Sequence, residues 1–105
     1  MVNVEGSEMI EILLKIKENP YIYLGKKSIF RLRSFLDGYL YAMKNNEYTL
    51  FLNSFQKWVA KRYEIKTTQG WSEIINFFSI DEIDAFDKFY VLLNQFFYER
   101  DEEPA

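Results

Sequence analysis

A chain of 105 residues, 49% hydrophobic and 28% charged, suits a single soluble domain with a core of its own. It has neither cysteine nor histidine, which excludes disulfides, thiolate chemistry, imidazole or thiolate metal ligation and the commonest general base. The net charge of −3 is unevenly spread: residues 1–70 hold eleven Lys/Arg against seven Asp/Glu, residues 71–105 two against nine.

Residues 1–6 read as a loose start. Gly6 or Ser7 can cap a first helix whose opening turn carries Glu8 and Glu11 and whose last turn carries Lys15 and Lys17, as the helix dipole favours. Met9, Ile12, Leu13 and Ile16 make its apolar stripe, and Asn19-Pro20 ends it. The run Tyr21-Ile22-Tyr23-Leu24 alternates weakly and finds no partner strand, so we expect an extended connector with its side chains packed down. Gly25 then permits a turn, and Ser28 stands where a helix N-cap belongs. The helix it launches runs from about Ser28 to Lys44, with Ile29, Leu32, Leu36, Tyr39 and Met43 at helical spacing and Phe35 and Leu40 widening the stripe. Gly38, in its middle, implies a close helix crossing.

Asn45-Asn46-Glu47 reads as a turn, with Tyr48 and Thr49 in the loop or the first turn that follows. A third helix is expected from about Leu50 to Tyr63, turning Phe51, Phe55, Trp58, Val59 and Tyr63 inward. Residues 64–68 form the next connection, and Thr68 is placed to cap a short helix through Trp71, Ile74, Ile75 and Phe78. Ser79-Ile80-Asp81-Glu82 fits the capping-box pattern S-x-x-E. It opens a last helix with Ile83, Phe86, Tyr90, Leu93 and Phe97 in one row and Phe89, Leu92 and Phe96 in a second. A stripe that wide wants neighbours on two sides. Residues 100–105 read as a disordered acidic tail. The expectation is an all-α single domain, 1–105, of four or five helices, with ten Phe, eight Tyr and two Trp building an aromatic-rich core.

The start of the chain lacks the basic-then-apolar run of a signal peptide, and no apolar segment approaches the roughly 20 residues of a membrane span. A cytoplasmic, membrane-free protein is the expectation. Asp81, Asp84 and Asp87 lie along one helix. Opposite the apolar stripe, however, they would be too well solvated to hold a proton for acid catalysis, and they lack the loop pattern that ligates Ca²⁺. Leu24-Gly25-Lys26-Lys27-Ser28 lacks the first glycine and the correctly placed hydroxyl of a phosphate-binding loop, so it reads as a turn before a capped helix. No catalytic, cofactor-binding or metal-ligating residue is assigned. A basic strip of Lys26, Lys27, Arg31 and Arg33, with Lys57, Lys61 and Arg62 further on, could hold single-stranded nucleic acid weakly if Tyr21, Tyr23 and Tyr48 stacked beside it. The acidic end argues against a general nucleic-acid binder and suits a basic protein. The plainer account of the charge imbalance is a solvated helix face and a frayed tail.

The segment from Pro20 through Tyr23, Gly25, Ser28, Leu32, Phe35 and Gly38-Tyr39 resembles a pattern recurring in small bacterial proteins, roughly P-x-[MI]-Y-[LI]-G-x-x-S-[LI]-x-x-L-x-x-F-[LI]-x-G-Y. Phe55-Gln56-Lys57-Trp58-Val59, Gly70-Trp71 with Ile74-Ile75, and Ala85-Phe86 with Phe89-Tyr90 are similar too, so the resemblance spans about residues 10–97. The family is largely uncharacterised, and its members look like proteins carried beside polymorphic toxin genes. The resemblance implies an immunity-type role without enzymatic activity or cofactor, and a protein partner such as a basic toxin domain. For a partner surface the expected residues are Asp81, Asp84 and Asp87, with Tyr21 and Tyr48 as anchors. The alternatives are a small regulatory or scaffold module that self-associates through exposed aromatic residues, and the weak nucleic-acid binder above.

Overall fold

Each helix of this chain begins where the orphan N–H groups of its first turn find an oxygen. The computed structural model describes residues 4–66 and 68–102. Residues 1–3, 67 and 103–105, which fall in the expected loose start, connector and tail, lie outside the described residues. In α1 (Glu8–Glu18) the Ser7 hydroxyl accepts from Ile10 N, and Met9, Leu13 and Ile16 are fully buried.

The expected extended connector is instead a helix, α2 (Pro20–Leu24). Pro20 at the first helical position lacks an N–H that would go unpaired there, and its ring presets the backbone angle. Gly25 closes the helix in the left-handed region at φ 74°, donating its N–H to Tyr21 O at 2.9 Å. Pro20 and Leu24, one helical turn apart, face inward, which leaves Tyr21, Ile22 and Tyr23 exposed rather than packed down.

In α3 (Ile29–Met43) the buried Ser28 hydroxyl accepts from Phe30 N at 3.2 Å and Arg31 N at 3.4 Å. Ile29, Leu32 and Leu36 are buried, whereas Met43 is exposed at the helix end. Gly38 marks no close crossing: a Cβ built on it would meet nothing within 4 Å.

Helix α4 (Asn46–Arg62) starts four residues before Leu50, because the Asn45 side chain caps it by accepting from Glu47 N and Tyr48 N. That register turns Tyr48 inward with Phe51, Leu52, Phe55 and Val59. For α5 (Trp71–Phe77) the cap is Gly70, whose N–H is bonded by the Glu73 carboxylate at 3.1 Å, and not Thr68. The Gln56 side chain reaches over from α4 to hold this start, donating to Gln69 O and accepting from Trp71 N.

The capping box at Ser79 shifts by two residues. Asp81 caps α6 (Glu82–Glu102), accepting from Ile83 N at 3.1 Å and Asp84 N at 2.8 Å, while the Ser79 hydroxyl donates back to Ile75 O. Aspartate wins because its carboxylate carries the negative charge that the helix dipole favours at this end. The helix also takes in residues 100–102 of the expected tail.

No strand occurs among the described residues, and one hydrophobic cluster draws on all six helices. Its centre is a set of rings where α4, α5 and α6 meet. Phe55 stands edge-on to Trp71, Phe89 and Phe96 at centroid distances of 5.9, 5.6 and 5.5 Å. Helix α6 runs beside α3, α4 and α5, and α1 packs on α2. Among the described residues, no helix is long and apolar enough to cross a membrane.

Candidate functional site

The first half of the chain supplies the cations that the second half lacks. Lys26 Nζ lies 3.0 Å from Glu82 Oε1, and Lys27 Nζ lies 3.0 Å from Asp87 Oδ1, so the turn between α2 and α3 is tied to the first turns of α6. These pairs lie at the surface, where solvent screening leaves such bonds worth about 0–1 kcal/mol. A competing cation can therefore replace either lysine at small cost. The rest of the basic strip is dispersed: Arg31 donates to Leu24 O, Arg33 bonds Asp37 and lies over Trp71, and Arg62 lies over Trp58.

The three aspartates expected at a partner surface have distinct tasks. Asp81 caps α6. Asp84 accepts from Ile80 N at 2.9 Å and pairs with Lys88 at 3.4 Å. The Ile80 N–H, with help from Lys88, holds the Asp84 carboxyl below the ordinary carboxylate range. That shift keeps the group charged, the opposite of what a proton donor near neutral pH requires. Glu82 is lowered as well, through hydrogen bonds from Lys26 and Ser28. Asp87 turns towards Lys27, so the triplet fans around the helix and does not converge on one point. Among the described residues, no group of three or more acidic side chains is placed to hold a metal ion.

Of the two expected tyrosine anchors, Tyr21 is exposed. Tyr48 is not available: it is buried, stacked on Tyr39 at 6.2 Å, because α4 begins early enough to carry it into the core. Tyr90 is a further buried phenol. It donates to Leu13 O at 2.7 Å, and burial pushes its pKa well above the ordinary tyrosine value.

The turn between α5 and α6 presents apolar side chains that helical spacing assigns to the core or leaves unplaced. Phe77 is 75% exposed and Ile80 91%, and Ile83 stands half out of the surface at the start of α6. The turn beneath them is firmly held. Ser79 N donates to Asn76 O, Ile80 N to Asp84, and Lys88 Nζ to Phe78 O at 2.7 Å, while Phe78 stacks on Tyr63 at 4.6 Å. The result is a preformed apolar edge, Phe77-Ile80-Ile83, bordered by Asp81, Asp84 and Asp87. The edge combines a fixed backbone with two largely exposed apolar side chains, Phe77 and Ile80. No family model, curated protein or solved structure matches the chain.

Proposed function

We propose that this protein acts by binding another protein, without catalysis, and that its role is of the immunity type: it caps a basic toxin domain with the edge between α5 and α6. The observation that carries the reading is the exposure of Ile80 and Phe77 on a turn fixed by four hydrogen bonds. Unburied apolar side chains on a rigid turn are suited to be anchors, since little conformational freedom is lost when a partner covers them. The flanking carboxylates fit a basic partner. They would steer its approach and exchange the weak pairs with Lys27 and Lys88 for pairs across the interface. The resemblance to proteins encoded beside toxins points the same way.

The test is capture of a partner from the native host, followed by titration of the purified pair. Ile80→Glu is expected to weaken binding by at least about tenfold, the loss of one central anchor. Its melting temperature should match that of the parent, because the replaced side chain is almost wholly in solvent. Asp87→Asn should chiefly slow association and flatten its salt dependence. Failure to recover the product of a neighbouring gene, or full-strength binding by Ile80→Glu, would overturn the proposal. The same edge could serve self-association, and a mass that stays monomeric at all concentrations in light scattering removes that reading.

A further inference from the structure

A second surface lies away from this edge, between α1 and the C-terminal half of α6, and its argument is independent of the function proposed above. It is a groove of 430 Å³. One wall is the row Ile10, Leu14 and Lys17 of α1; the other is Tyr90, Leu93 and Phe97 of α6. Both rows repeat at helical intervals. Side chains so arranged on two neighbouring helices leave holes that the side chains of a third helix can enter. The floor is deep: Ile10, Tyr90 and Leu93 are buried, yet Leu14 on the lip is 52% exposed. A small molecule in the groove would leave that lip wet, whereas a helix lying along it would cover it. Helix α6 gives its other sides to α3, α4 and α5.

Charge along the groove selects among helices. Glu5 and Glu11 line it towards the start of α1, Glu11 in an exposed pair with Lys15 at 3.6 Å. Lys17 lines it at the other end, with its ammonium 5.7 Å from the centre of the Tyr90 ring. Six residues of helix separate Glu11 and Lys17 by about 9 Å along the axis. We infer that the groove receives an amphipathic helix of a partner protein, with an apolar stripe facing the floor and one basic and one acidic residue a heptad apart to meet Glu11 and Lys17.

The test uses the full chain, ¹⁵N-labelled, and two synthetic helical peptides of about five turns. The first carries a leucine stripe flanked by one Lys and one Glu a heptad apart; in the second both flanking residues are Glu. The first should shift amide resonances at residues 10–17 and 90–97, and the second should bind about tenfold more weakly, since it sets a carboxylate against Glu11. Leu14→Asp should weaken the first peptide at least about tenfold without altering the melting temperature. Lys17→Glu should make a third peptide, with Lys at both flanks, the tightest of the set. Ile80→Glu should bind the first peptide like the parent, which keeps failure here distinct from failure of the α5–α6 edge. Absence of shifts, shifts centred on residues 77–83, equal binding of the first two peptides, or indifference to Leu14→Asp would each overturn the inference.

Discussion

Gly25 and Gly38 have the same side chain and opposite reasons for being there. Gly25 sits at φ 74°, and a Cβ on it would come within 3.0 Å of Arg31 Nη1. Gly38 lies inside a helix with open space where a Cβ would go. Gly25→Ala should therefore cost about 1–2 kcal/mol, the strain of a left-handed alanine. Gly38→Ala should add about 0.5–1 kcal/mol of stability by restoring ordinary helix propensity. Urea unfolding of the two variants checks both signs at once. Sequence alone places the first glycine correctly, because a turn between a proline-led run and a capped helix is a local pattern. It misplaces the second, because a helix crossing depends on residues far along the chain. Tyr48 and Tyr21 divide the same way: one is carried into the core and one left in solvent by helix starts set by single residues, the Asn45 cap and Pro20 at the first helical position.

At the scale of the element, the start of α6 combines a cap, two lowered carboxyls and three lysine pairs. The carboxyls of Glu82 and Asp84 both lie below their ordinary values of 4.5 and 3.8, so folding favours their charged forms. Their contribution is present above those values and is lost as pH falls through the lower folded-state values. Acidification should thus loosen this end of α6, and Asp84→Asn, whose side-chain carbonyl can still accept from Ile80 N, should lessen the effect. The check is the drop in melting temperature between neutral pH and about pH 3, expected to be larger in the parent than in the variant. The existence of α6 is plain from its double row of apolar residues, but its first residue is not. Ser79 and Asp81 both suit a cap, and the choice falls to the residue whose negative charge the helix dipole favours. That two-residue shift is what frees Ile80 from the helix and puts it in the solvent.

For the molecule as a whole, stability concentrates where α4, α5 and α6 share their rings. Phe55→Ala would remove the side chain that touches four of them and should cost about 3–5 kcal/mol, measured by chemical unfolding. Exposed Leu14 and Ile80 should tolerate substitution within about 0.5 kcal/mol, as surface positions do. The all-helical class and the aromatic core are legible in the sequence because both follow from periodicity and composition. The apolar edge and the groove are not, since an apolar residue in a stripe looks the same whether or not a neighbouring helix covers it. The charge imbalance is visible in the sequence, but its internal settlement through Lys26 and Lys27 appears only once α3 and α6 lie side by side.

The placement of α6 also bears on how the fold is made. Vectorial synthesis delivers the first five helices before the segment that roofs α3, α4 and α5, so the nascent chain must emerge with Phe51, Phe55 and Trp71 uncovered. Chaperones that shield greasy intermediates have their opening in that interval, and it closes only when Phe89 and Phe96 leave the exit tunnel.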